Sequence, residues 1–466
     1  MRYISTRGKA PVLNFEEVVL TGLARDGGLY VPETWPQFSK DDIRSLAGMS
    51  YAEAAAFLLQ PFLGDSISDV DFRAMTEKAY ASFANKAVVP ISQLDSNEFL
   101  MELYHGPTLA FKDVALQLLG LLYDHLLGRQ KRRATIIGAT SGDTGSAAIE
   151  ACRGRDAVDI FILHPAGRVS EVQRRQMTTV LDANVHNIAV EGDFDDCQAM
   201  VKAMFNDHDF RDELSVSAVN SINWARVMAQ IVYYFTVGVS LGAPDRPISF
   251  SVPSGNFGDV YAGYTASKMG LPIDQLIVAT NRNDILSRFF NSGDYRKSSV
   301  DPTISPSMDI QVSSNFERFL FDLHGRDGEA VADLMGRLDS EDGFAVNMSL
   351  LNEGIFSAGR SDEADTLKTI QKTLSESAIL VDPHTAVGLK VGGDCRDDSN
   401  APLVTLATAH PAKFPDAVKQ ATGEHPALPK HMADLFDREE RMTTLPNDLD
   451  TIKSFIKERA RILSAV

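Results

Sequence analysis

Residues 134–151 read Ala-Thr-Ile-Ile-Gly-Ala-Thr-Ser-Gly-Asp-Thr-Gly-Ser-Ala-Ala-Ile-Glu-Ala. Apolar and β-branched residues fill 134–139, a Gly/Ser/Thr turn follows, and Ala147–Ala151 has the composition of a helix. The span predicts a strand, a loop and a helix in succession. The same alternation recurs downstream. Val158–Leu163, Val185–Val190, Ile248–Val252 and Leu276–Thr280 are short apolar runs that predict strands. Residues 171–180, 195–208, 222–238 and 259–269 have helical patterning. Strands that alternate with helices imply βαβ units and an α/β fold with two helix-flanked, mostly parallel sheets.

Both ends differ from this middle. Residues 1–95 open with Ser5-Thr6-Arg7-Gly8 and a turn at Asp26-Gly27-Gly28. A short strand near Leu29–Val31 and a helical pattern from about 41 to 88 predict a mainly helical N-terminal domain. Past the loops at Pro302 and Pro306, two late strands are expected at Ala378–Val381 and Leu403–Thr408. The tail 430–466 is expected to be helical and charged.

The chain has 466 residues, enough for two or three domains. Its formal net charge of −18 argues against nucleic acid or an anionic membrane as the partner. The basic run Arg129-Gln130-Lys131-Arg132-Arg133 is read as a solvated helix C-terminus. Cys152, Cys197 and Cys395 are too scattered for a metal site or a disulfide framework. The first residues lack the apolar core of a signal peptide, and no apolar run is long enough to span a bilayer. A cytoplasmic protein is expected.

Four stretches carry chemistry. In Leu103–Ala115 the turn His105-Gly106-Pro107-Thr108 runs into an apolar helical pattern, with Lys112 in its first turns beside Asp113. Burial of that helix would lower the lysine pKa and free its amine to form a Schiff base with a carbonyl such as pyridoxal phosphate. The competing reading is a lysine that snorkels to solvent. The loop Ser141-Gly142-Asp143-Thr144-Gly145-Ser146 lies between a strand and a helix. Its N–H groups suit a carboxylate or phosphate, or simply cap the helix. Pro253–Asp259 again follows a strand and opens a helix. Its amides at Gly255, Asn256, Phe257, Gly258 and Asp259 suit a cofactor phosphate, against a structural turn as the alternative. The strand Leu403–Thr408 ends in a hydroxyl placed to meet a pyridine nitrogen. His410 is expected to be a structural turn residue and Lys413 to face solvent. Arg168 and Arg226 are candidates for a substrate phosphate, each set against an ordinary structural arginine.

Together these are the parts that a pyridoxal-phosphate site needs. The chain resembles the threonine synthase family, of the longer bacterial and fungal type. The resemblance rests on HGPTLAFKD at 105–113, SGDTGSAA at 141–148, GRVS at 167–170, SINWAR at 221–226, PSGNFGD at 253–259, PSMDI at 306–310, DPHTAVG at 382–388 and TAHPAKF at 408–414. It implies a fold type II pyridoxal-phosphate enzyme with the cofactor in a cleft. It implies a large cofactor-binding domain from 96–133 and 236–466, and a small domain from 134–235. By the resemblance Lys112 is the Schiff-base lysine, and Gly255–Asp259 is the cofactor-phosphate loop. Thr408 is the ring-nitrogen partner, and Ser141–Ser146 is the substrate-carboxylate loop. Arg168, Asn223 and Arg226 are further substrate-binding candidates. The implied reaction converts O-phospho-L-homoserine and water to L-threonine and phosphate, in a monomer or homodimer. The nearest rival is a phospholyase that takes the same substrate to 2-oxobutyrate. A more distant one is a non-catalytic phosphometabolite-binding protein with an idle lysine.

Overall fold

A computed structural model describes residues 1–217, 221–351, 354–398 and 400–461. Residues 462–466 of the tail lie outside them. The N-terminal region pairs Tyr3–Ser5 with Tyr30–Pro32 in an antiparallel ribbon. Three helices follow, Lys40–Ser45, Tyr51–Leu63 and Asp69–Tyr80. Each begins where a serine (Ser39, Ser50, Ser68) accepts the N3 amide, a cap that contributes about 1 kcal/mol.

Two large sheets dominate the rest, beside a small antiparallel ribbon that pairs Asp294–Arg296 with Gly343–Ala345. In the larger, the strands lie in the order Phe356–Arg360, Ile273–Thr280, Ile248–Pro253, Leu403–Ala407, Glu98–Glu102, Ile91–Asp95. All pairs are parallel except the final hairpin. In the smaller, the order is Thr443–Pro446, Val185–Glu191, Val158–Pro165, Ala134–Ala139, Val216–Ser217, all parallel. Helices Lys112–Arg129 and Trp224–Ser240 are buried along nearly their whole length. A helix apolar all round belongs in an interior. Among the described residues no helix is long and apolar enough to cross a membrane.

Two expectations fail. Ala378–Val381 is not a strand. The helix Glu363–Ser377 runs up to it and ends at Ala378 in the left-handed conformation. Asp382 already caps the next helix, Pro383–Cys395, which leaves too few residues to pair. The run is apolar because Val381 packs with Leu100, Ile370 and Ala386, not because it joins a ladder. The tail is not wholly helical either. Thr443–Pro446 pairs with Val185–Glu191, and Ile452 and Ile456 of the helix Leu449–Arg459 fill the core of the smaller sheet. The chain end therefore packs with the smaller sheet, not with the larger unit to which the sequence reading assigned it.

Candidate active site

Strand order builds the site. Leu403–Ala407 lies between Ile248–Pro253 and Glu98–Glu102, and the three run parallel. Their carboxyl ends lead to Thr408, to the 254–259 loop and to the segment entering Lys112. In open α/β sheets that is where ligands collect. The Phe111 amide donates to the Thr408 carbonyl at 2.8 Å, which pins the start of the Lys112 helix to the strand end.

Lys112 is 9% exposed. Burial pulls its pKa below the ordinary lysine value. Asp143, whose Oδ2 stands 3.6 Å from Nζ, works against that, and the cations of Lys413 and Arg226 reinforce it. Lys413 departs from its expected place in solvent. It is fully buried, with Nζ 2.7 Å from Asp143 Oδ1 and donating to the Thr108 carbonyl at 2.7 Å. Its signal was the stretch that also carries Thr408: the short turn Pro411–Lys413 folds back from the strand end. His410 caps that turn by accepting the Ala412 amide, as a structural turn residue should.

Asp143 is the shared counter-ion. Burial alone would raise its carboxyl, but Lys413 and Lys112 outweigh burial and hold it well below the carboxylate range. Gln173 Nε2 also donates to it at 2.8 Å. Its side chain is thus unsuited to holding a substrate carboxylate, whereas its amide is free. In this loop Thr140 Oγ1 accepts from Gly142 and Gly145, and Ser146 Oγ bonds the Asp143 carbonyl. The amides of Asp143 and Thr144 donate to nothing among the described residues. Gly142 has φ 150°, which an L side chain rarely adopts. Ser141 is exposed and Thr144 partly so.

The 254–259 loop is held from behind. Ser313 Oγ takes the Gly255 carbonyl at 2.7 Å, and the Asn315 amide takes that of Asn256 at 3.0 Å. The amides of Gly255, Asn256 and Gly258 have no acceptor among the described residues. Phe257 is buried against Phe290, Phe316 and Phe319. Ser254 Oγ bonds Asp259 Oδ1 at 2.6 Å, and burial raises the Asp259 carboxyl. A Cβ on Gly255 would stand 2.9 Å from the Ser307 carbonyl. The Ser307 amide reaches His384 Nε2 at 3.1 Å, while His384 Nδ1 lies 2.6 Å from Asp382. Ser307 and His384 were missed as separate signals, though both lie in quoted family motifs.

Three remaining candidates divide. Arg226 is buried, its Nη1 has no partner, and burial lowers its pKa to about 10. Asn223 is spent elsewhere. It caps the Arg226 helix through Ala225 N, and its Nδ2 donates to the Val19 carbonyl and to Tyr123 Oη. With its amide nitrogen so committed it holds the helix start. Arg168 is exposed, and its charge acts on Asp196. The structure does not bring it into the buried cation cluster, because the Gly167 turn leaves it on the surface.

Lys112 and Lys413 thus share the Asp143 carboxylate, and the buried Arg226 lies near enough to act on Lys112, beside two loops with unpartnered amides. An excess of buried cations needs anions. The arrangement fits a phosphorylated aldehyde cofactor and an anionic substrate. Among the described residues there is no metal-binding cluster.

Comparison with known proteins agrees. A family model described as pyridoxal-phosphate dependent enzyme matches residues 87–361. Models of the threonine synthase N terminus and C-terminal region match 2–80 and 385–456. Threonine synthase of Pseudomonas aeruginosa is 57% identical over 461 residues, covering 98% of each chain. The crystal structure of pyridoxal-phosphate-bound threonine synthase from Brucella melitensis superposes with a TM-score of 0.98 at 56% identity, covering 99% of this chain and 100% of that one. That of yeast threonine synthase gives 0.93 at 40% identity, covering 98% of each.

Proposed function

The chain belongs to the threonine synthase family, and we propose how its residues divide the work of that reaction. It is a fold type II pyridoxal-phosphate enzyme that converts O-phospho-L-homoserine and water to L-threonine and phosphate. The reaction is a γ-elimination followed by β-addition of water. When bound, the cofactor supplies an electron sink for carbanions at the amine-bearing carbon and at the carbon beside it.

In our reading Lys112 tethers the cofactor. Its pKa-lowered Nζ would take and return protons along the substrate. The unpartnered amides of Gly255, Asn256 and Gly258 hold the cofactor phosphate at a helix N-terminus. Thr408 would be the neutral hydroxyl partner of the ring nitrogen, and its buried strand-end position supports that role. The amides of the Ser141–Ser146 loop hold the substrate carboxylate. Arg226, with its free Nη1, and Lys413 take the substrate phosphate. Asp143 holds Lys413 and Lys112 together until that phosphate arrives. We place the large unit on the larger sheet with 96–133, and the small unit on the smaller sheet with the chain end added. Their closure would exclude water during elimination and admit it afterwards. We assign it to the cytoplasm as a monomer or homodimer without nucleic-acid partners, a reading supported by the net charge of −18 and three free cysteines.

The observation that carries this reading is the pair of buried lysines, Lys112 and Lys413, on Asp143, with the unpartnered Arg226 acting on Lys112. Borohydride reduction with peptide mapping should place the label on Lys112, and product analysis should find threonine. A label on another lysine would refute the assignment, and 2-oxobutyrate as the main product would favour the phospholyase.

A further inference from the structure

The helix Phe316–Leu323 begins directly after the residues that clasp the 254–259 loop, and its first turn is tied to the N-terminal region. Glu317 is 5% exposed. Its Oε1 accepts from Thr6 Oγ1 at 2.6 Å and Arg7 Nε at 3.0 Å, and its Oε2 accepts from Arg7 Nη2 at 2.9 Å. Arg318 is fully buried. It donates to the Tyr30 carbonyl at 3.1 Å, to the Ile222 carbonyl at 2.5 Å and to the Asn315 side-chain oxygen. Asn315 closes the circuit. Its Nδ2 reaches the carbonyls of Asn256 and Ser221, both at 3.1 Å.

The loop needs such a hold. Phe257 stands at φ 60°, ψ 7°, a left-handed conformation that costs a non-glycine residue about 1–2 kcal/mol. The carbonyls of Gly255 and Asn256 are taken on the Ser313–Asn315 side, so their amides are left for a ligand on the other. The Ile222 and Ser221 carbonyls lie at the entry to the Arg226 helix, so one hub fixes both features.

We infer that the N-terminal region is a positioning element of the active site: Thr6, Arg7 and the Tyr30 carbonyl set Glu317 and Arg318, which set Asn315 and with it the cofactor-phosphate loop. This rests on the proposed role of that loop. Arg7 and Asn315 are positioning residues.

The test measures binding of pyridoxal phosphate and of pyridoxal, which lacks the phosphate, to the cofactor-free full chain by visible absorbance. Arg7→Met should weaken pyridoxal phosphate about fivefold and Asn315→Ala about tenfold, with pyridoxal unchanged. Arg7→Lys should recover part of the loss. Arg2→Met, which breaks the exposed Arg2–Glu33 pair, should change nothing. Stranding the Glu317 carboxylate lowers the thermal midpoint of Arg7→Met whatever its role, so the deciding readout is the loss of the phosphorylated form with pyridoxal unchanged, which general destabilisation would not give. Gly255→Ala reports on the loop itself by losing the preference for the phosphorylated form. If Gly255→Ala loses that preference while Arg7→Met and Asn315→Ala stay within twofold of the parent, the inference fails and the loop reading stands. If none of the three changes, both fail. An equal loss for pyridoxal in Arg7→Met also overturns the inference.

Discussion

Replacing Lys413 by Met removes a fully buried ammonium 2.7 Å from Asp143. At an effective dielectric constant near 20, a pair at that distance attracts by about 6 kcal/mol, and the 3.6 Å Lys112 contact by about 5 kcal/mol. Desolvation of both groups offsets much of this. The net cost of breaking such a pair by removing one partner is about 3–5 kcal/mol. For 466 residues the unfolding entropy is about 1 kcal/mol per degree, so the thermal midpoint should fall by about 3–5 °C. Asp143→Asn should cost a similar amount, because it leaves Lys413 with only the Thr108 carbonyl. The double variant should recover part of the loss, since neither charge is then stranded. Calorimetry of the four proteins measures the coupling. The acid limb gives a second reading. Asp143 has a depressed folded-state pKa, so its contribution is complete above about pH 4 and is lost as pH falls further. Asp143→Asn should remove that part of the acid dependence. Single variants that shift the midpoint by less than about 1 °C, or a double equal to the sum of the singles, would show that the ammonium of Lys413 reaches water and that the buried pair is misread.

Asp113 tests burial with the opposite sign. Burial pushes it up to about 6 despite two bonds from Thr108, so the native chain holds the proton more tightly between about pH 4 and 6. Stability therefore falls by about 3 kcal/mol as pH rises through that window. Asp113→Asn keeps an acceptor and a donor for Thr108 and should flatten this slope; a thermal midpoint that still declines between pH 4 and 6 would place the titration elsewhere. Thr408→Asp should lower kcat at least 100-fold and shift the visible spectrum, whereas Thr408→Ser should preserve both. An unaltered rate and spectrum in the Asp variant would remove Thr408 from the ring nitrogen.

Local pattern was enough for much of the molecule. The alternation of β-branched runs with amphipathic helices specified the α/β class, because strand and helix periodicity are properties of neighbouring residues. The Gly/Ser/Thr loops at strand ends and the lysine in an apolar helix were legible for the same reason. The run 378–381 misled, since a short apolar segment reads alike whether it joins a ladder or packs between two helix caps. Strand order was not legible, because hydrogen-bonded pairing between distant segments leaves no local trace. Only the parallel placement of Leu403–Ala407 between Ile248–Pro253 and Glu98–Glu102 brings Thr408, Gly255 and Lys112 to one edge. Burial decided the charges. Lys413 and Arg168 are both basic residues near turns, yet one is sealed against Asp143 and the other lies in solvent. The sequence pointed to Lys112 as the candidate amine. Tertiary packing chose its neighbours, since a charge takes its chemistry from what surrounds it.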